Sequence, residues 1–210
     1  MLFKNRTEAG QMLAKKLEKY KSDENIVVYG LPRGGVVLAA EIASHLKCPL
    51  DLILSRKIGH PHNPEYAICA ICENSPPICS NEVQHLDQNW LESEISHQRE
   101  EIRRRKALYN IDHISPGGKT AIIVDDGIAT GLTIEAAIHE VASYGPKSIV
   151  IAVPVTANNA FTRLSKLVDD FVCLELPAYF MGAVDSYYEN FAQISDSEVV
   201  SIIKSFKNPL

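Results

Sequence analysis

No stretch of this 210-residue sequence approaches the ~20 consecutive apolar residues that span a bilayer, so a membrane-embedded fold is not expected. Positive charge is in short supply: 21 Lys and Arg against 26 Asp and Glu give a net charge of −5. That balance argues against a protein that holds nucleic acid through a general basic surface. The five cysteines are an odd number scattered along the chain, which suits a reducing compartment better than a disulfide scaffold. Cys69 and Cys72 have the spacing of half a zinc knuckle, but the second Cys or His pair is missing. On a strand, side chains three apart point to opposite faces, so this pair reads as part of a half-buried strand. His60-Pro61-His62 reads as an exposed loop. A G-x-x-x-x-G-K-[ST] loop is also absent, which sets aside a kinase-like nucleotide binder. Residues 1–20 carry Lys and Glu throughout, unlike a leader peptide, and the expected location is the cytoplasm.

What the sequence does contain is organised around residues 121–133, AIIVDDGIATGLT. Ala121 to Val124 form a short apolar run without helical period, as expected for a parallel strand covered on both faces. Asp125 and Asp126 stand where that strand ends. Gly127, Ile128, Ala129, Thr130 and Gly131 follow, and the apolar spacing of Leu132, Ala136, Ala137 and Val141 predicts a helix over 132–143. Such a strand-to-helix turn offers backbone N–H groups and a helix N-terminus to an anion. Thr130 and Thr133 add hydroxyls. The paired carboxylates are suited to sugar hydroxyls or a hydrated Mg²⁺. The plain alternative is a βα turn whose acids merely cap the helix.

Residues 5–21 have the pattern of an amphipathic helix capped by Asn5, with Glu8 three residues on. Ile26 to Gly30 reads as the first buried strand and Val36 to Leu46 as its following helix. Between them, Arg33, Gly34 and Gly35 form a second place where backbone can approach an anion closely. Leu50 to Ser55 reads as the next strand, delivering Arg56 and Lys57 to its C-terminal end. In an open parallel sheet those ends share one edge, so the three loops can face one crevice.

Residues 58–117 break the alternation of strand and helix. Gly59, Pro61, Asn63 and Pro64 predict a loop, residues 67–73 a strand, and 81–110 one long charged helix or two shorter ones. The basic run Arg103 to Lys106 reads as a solvated helix face. Strands over 148–154 and 171–176, with a short helix over 158–167, complete an α/β fold: an open parallel sheet of about five strands with helices on both faces. An aromatic tail follows, and an aromatic cluster is more often core than ligand platform. The whole is read as a single domain over 1–210, with an inserted cap at about 58–117 and a C-terminal hood at about 177–210.

The order of residues 121–133, an apolar strand, two acids, small residues and Thr-Gly-x-Thr, resembles the phosphoribosyl-pyrophosphate (PRPP) signature of the type I phosphoribosyltransferases. Together with LPRGGV at 31–36 and RKIGHPHNPEYAI at 56–68, it is similar to bacterial phosphoribosyltransferase-like proteins of unassigned acceptor. The resemblance covers most of residues 25–176. It implies a Mg²⁺-dependent transfer in which a nucleobase or related amine displaces pyrophosphate from PRPP. Asp125 and Asp126 would be the catalytic acids, holding the ribose hydroxyls and, through water and pyrophosphate, the metal. Gly127, Ile128, Ala129, Thr130, Gly131 and Thr133 would grip the 5′-phosphate. Arg33, Gly34 and Gly35, with Arg56 and Lys57, would take the pyrophosphate, and Phe180 would stack on the acceptor. Oxopurine members carry a further Asp where this chain has Ala129, which favours an adenine-like or other amine acceptor. The resemblance leaves open a PRPP-binding regulator without turnover, and a homodimer.

Overall fold

In the computed structural model, which describes residues 2–110 and 113–207, the chain opens with α1 (Arg6–Lys16), β1 (Ile26–Gly30), α2 (Gly35–Leu46) and β2 (Leu50–Leu52). An insert follows, made of β3 (Arg56–His60), β4 (Asn63–Ile71), β5 (Ile78–Cys79) and α3 (Gln88–Tyr109). β6 (Thr120–Val124), α4 (Leu132–Ala142), β7 (Ser148–Val155), α5 (Asn158–Leu164), β8 (Asp170–Glu175) and α6 (Asp196–Lys207) complete the order. Among the described residues no helix is long and apolar enough to cross a membrane.

Five strands make an all-parallel sheet in the order β2-β1-β6-β7-β8. Its central strands, β1, β6 and β7, are buried at nearly every position and mostly apolar, because both faces are covered. Val28, Ile122 and Val150 point into a core shared with α1, α2 and α6. Their neighbours Val27, Ile123 and Ile151 point the other way, against α4 and α5. The strand order reverses between β1 and β6, so the chain leaves those two strands toward opposite faces. A crevice opens at such a switch point. Here it brings residues 31–35 beside residues 125–131, with Gly30 level with Val124.

The helix starts follow from local chemistry. Asn5 caps α1 by accepting the Glu8 amide at 2.9 Å, as the Asn-to-Glu spacing predicts. Asp87 caps α3 through the Asn89 and Trp90 amides. The helix read over 5–21 is shorter, since α1 ends at Lys16 and a 3₁₀ turn covers Glu18–Tyr20.

The insert differs most from expectation. The strand read over 50–55 ends at Leu52, and Arg56 and Lys57 instead begin β3 of a separate antiparallel sheet, β3-β4-β5. The loop expected over 59–64 is the tip of a hairpin in which His60 pairs with Asn63, and register shifts around Gly59 absorb the irregular sequence. This sheet packs on α3 through a small core of Ile58, Ile68, Ile71, Leu91 and Ile102. The long charged segment divides into a 3₁₀ turn, Asn81–His85, and α3.

The cysteine reading is corrected here as well, because Cys69 and Cys79 form a disulfide between paired positions of β4 and β5. β5 has only two ladder partners, and closing so short a loop stabilises it by about 3 kcal/mol in chain entropy. Cys72 faces the other way, into the core beneath α4, as strand alternation requires. Helix α6, which the aromatic tail did not announce, packs Val199 and Ile203 onto the same core as α1. Positions 111–112 of the expected cap and 208–210 of the expected hood lie outside the described residues.

Candidate active site

β6 delivers Asp125 and Asp126 to the crevice floor, where Asp125 Oδ1 accepts the Asp126 amide at 2.9 Å. The turn beyond them is fastened to β7: the Ile128 amide donates to the Val155 carbonyl, and the Ala157 amide donates to the Ile128 carbonyl, both at 2.9 Å. The Ile128 side chain is buried. Its amide is therefore committed to the scaffold, while Ala129, Thr130 and Gly131 line the crevice. Gly131 caps α4 with φ +81°, in the left-handed region that favours glycine. Arg163, reaching over from α5, donates to the Thr130 carbonyl at 2.6 Å and pairs with Glu135, which holds the turn from behind.

Besides the Asp125 contact at its amide, Asp126 is held at its carboxylate and at its carbonyl. Arg6 Nε donates to its Oδ2 at 2.8 Å, and Arg6 Nη1 donates to the Ala192 carbonyl at 2.8 Å. The guanidinium also lies 3.6 Å from the centre of the Phe191 ring, a cation–π contact that orients it further. Tyr188 donates its hydroxyl to the Asp126 carbonyl at 2.7 Å. Burial pushes both acids above the ordinary carboxylate range. For Asp125 the charge of Asp126 adds to that effect, whereas for Asp126 the Arg6 guanidinium opposes it. Of the two acids, Asp126 is the one whose charge is met directly by a guanidinium.

The 31–35 loop lies against this pair. A Cβ on Gly34 would stand 1.8 Å from Asp126 Oδ2, and one on Gly35 would stand 2.7 Å from the Val124 carbonyl oxygen. Only glycines allow the loop to approach so closely, so packing alone explains much of the Gly-Gly pair. The Pro32–Arg33 peptide is cis. Arg33 reaches toward the first turn of α6, 4.0 Å from Asp196.

One cavity of about 400 Å³ is lined by Leu31, Pro32, Ser55, Arg56, Lys57, Arg105, Asp125 and Thr133. A second, of about 280 Å³, is lined by residues 125–131, Thr133, Ile134, Lys57, Val184 and Phe191. They share Lys57, Asp125 and Thr133 and form one crevice. The structure therefore brings together the acids, the turn, Arg56 and Lys57, with Gly34 and Gly35 packed beneath the acids. Phe180 is placed differently: half-buried, it stacks on Tyr187 with ring centres 5.3 Å apart, and Val184 and Phe191 line the crevice wall instead.

Sequence reasoning missed Arg6, Tyr188 and Arg105. For Arg6 no local signal exists, since it lies 120 residues from its partner acid. Among the described residues no three His, Cys, Asp or Glu side chains converge on a metal site. Two carboxylates, one already engaged by Arg6, fit only a cation that brings most of its ligands as water and phosphate oxygens. Mg²⁺ is such a cation.

A family model described as the phosphoribosyl transferase domain matches residues 3–189. The chain belongs to this family. It is 40% identical over 207 residues to the Mycobacterium tuberculosis H37Rv protein Rv0571c, whose name proposes a phosphoribosyl transferase. That match takes in 96% of this chain but 46% of the relative, so the chain spans about half the length of the curated relatives it matches. Among solved structures, TT1426 from Thermus thermophilus superposes with a TM-score of 0.83 at 38% identity, covering 98% of this chain and 99% of that one. The AQ2163 protein from Aquifex aeolicus shares the fold at 11% identity, with a TM-score of 0.53 over 81% of this chain and 74% of its own. The phosphoribosyltransferase fold thus accounts for the parallel sheet and for the position of the acid pair at its switch point.

Arg6 gives this site a first prediction. Arg6 is 8% exposed, and removing one partner of a buried ion pair leaves an uncompensated charge. Arg6→Ala should lose about 3 kcal/mol of stability in urea unfolding. It should also raise the Asp126 pKa further, because the guanidinium is what opposes burial there. A variant as stable as the parent would show that the pair is not coupled to folding.

Proposed function

We propose that this chain is a Mg²⁺-dependent phosphoribosyltransferase that displaces pyrophosphate from C1 of PRPP with a nitrogen nucleophile, a nucleobase or related amine. The observation that carries the reading is the meeting of two half-buried acids, a glycine-containing turn at a helix start, and Arg56 and Lys57 around one crevice. In this reading Asp125 and Asp126 orient the ribose hydroxyls. The amides of residues 129–131, with Thr130 and Thr133, hold the 5′-phosphate. The pyrophosphate lies toward Arg56 and Lys57, with Arg33, Gly34 and Gly35 forming the adjoining wall. Bound Mg²⁺ would be held by water, pyrophosphate and the acid pair, and supplies neutralising charge to the leaving group.

Phe180 is assigned to acceptor binding together with Val184 and Phe191, and Ala129 favours an adenine-like or other amine acceptor. The insert and the tail form the cap and hood of a single catalytic unit. A site that transfers ribose to a chosen nucleophile must keep water out during the step. The β3-β4 hairpin, which begins at the cavity with Arg56 and Lys57, is assigned to that closure.

Calorimetric titration of PRPP with Mg²⁺, followed by a pyrophosphate-release screen over bases and amines, tests the proposal. Saturable, Mg²⁺-dependent PRPP binding and release with one acceptor class are expected, along with slower amide exchange over residues 56–75 in the complex. Absence of PRPP binding would remove the reading. Binding without release from any acceptor would make the chain a PRPP-responsive regulator.

A further inference from the structure

We infer that Arg105, on the inserted helix α3, is a further catalytic residue that contacts the departing pyrophosphate. This rests on the function proposed above. The run Arg103 to Lys106 divides between the two faces of its helix. The buried positions of α3 are Leu91, Gln98, Ile102 and Tyr109, and Arg105 stands seven residues after Gln98 and four before Tyr109, on that same stripe. Arg105 lines the larger cavity together with Arg56 and Lys57. Its Nε is buried and has no hydrogen-bond partner among the described residues.

The nearby acids are taken. Glu101 pairs with Arg104, Glu73 with Lys106, and Asp196 accepts from Tyr109 and faces Arg33. Arg56 is tied to Gln98 through its Nε, and its pKa is lowered by burial and by the charge of Arg105. Two guanidiniums that repel each other at an open cavity, with a lysine beside them and only Asp125 as a lining acid among the described residues, form a site complementary to a polyanion. The cavity volume of about 400 Å³ accommodates a diphosphate with its water.

In the reaction the C1–O bond breaks and its electron pair goes to pyrophosphate, while the acceptor nitrogen's lone pair forms the C1–N bond. The surplus proton of that nitrogen passes to solvent. Arg105 transfers no proton: it donates N–H to the pyrophosphate oxygens as their charge grows.

The test compares the full chain with Arg105→Gln and Arg105→Lys by titration with Mg²⁺-pyrophosphate, Mg²⁺-PRPP and ribose 5-phosphate. Loss of a charge-assisted contact should weaken pyrophosphate and PRPP binding by about 10- to 100-fold in Arg105→Gln. Arg105→Lys should recover part of that loss, and ribose 5-phosphate, which lacks the leaving group, should bind as in the parent. If all three ligands weaken together, Arg105 is structural and the inference fails. If the parent binds PRPP and Arg105→Gln binds pyrophosphate equally well, this inference alone is overturned. A parent chain that binds neither PRPP nor pyrophosphate overturns it together with the proposed function.

Discussion

Gly34→Ala is expected to abolish PRPP binding. The added Cβ would stand 1.8 Å from Asp126 Oδ2 and 2.7 Å from Arg6 Nε. Asp126 cannot simply turn aside, because Arg6 holds its carboxylate and Tyr188 holds its carbonyl. Relief therefore requires the 31–35 loop to withdraw or the acid to leave its partner. Overpacking of this kind costs about 1–3 kcal/mol, which a chain with three apolar clusters should survive. Function is affected more strongly, since a misplacement of about 1 Å at a positioned site lowers rate by roughly 100-fold. Melting temperature and PRPP titration on the same sample separate the two effects. A folded Gly34→Ala variant with parental affinity would mean that this loop forms no part of the donor site.

Asp125→Asn should lose PRPP binding by about 100-fold, the scale of charge-assisted hydrogen bonds removed from a ligand. Its stability should respond in the opposite sense. Burial, with the Asp126 charge second, raises Asp125 well above the 3.8 of an unperturbed aspartate. A carboxyl whose pKa is raised by folding binds its proton more tightly in the native state, so it destabilises the fold above the raised pKa. That penalty fades as pH falls through the raised value, and is gone below 3.8, where the unfolded chain is protonated as well. Asparagine removes it. Asp125→Asn should therefore match the parent's melting temperature in acid and exceed it at neutral and alkaline pH. A variant less stable than the parent at pH 7 would show that the ionised acid supports the fold, contrary to this account.

These expectations also show how far local sequence reaches. Residues 121–133 determine a buried strand, a sharp turn and a helix start, because each depends on neighbours within a few positions: apolar runs, acids at the strand end, and glycine at a left-handed cap. The parallel α/β order follows from the alternation of such segments. The same local logic placed Cys69 and Cys72 on opposite faces of a strand. It failed over 50–64, where Gly, Pro and Asn suggest a loop in isolation. There the pairing of β3 with β4 supplies hydrogen bonds that no local pattern encodes. The Cys69–Cys79 bridge likewise depends on the register of β4 with β5.

The sequence by itself determined the family signature, the sheet type, and the placing of two acids and a glycine-containing turn at a strand end. Only the tertiary structure decided what surrounds those acids. Arg6 reaches Asp126 across 120 residues, Tyr188 closes on the Asp126 carbonyl from the tail, and α3 turns Arg105 toward the cavity while Arg103 stays exposed. The physical reason is that charge and burial act through space. A local pattern specifies which groups a turn can offer, whereas the sheet order and the packing of distant helices determine which charges face them and how strongly they are desolvated.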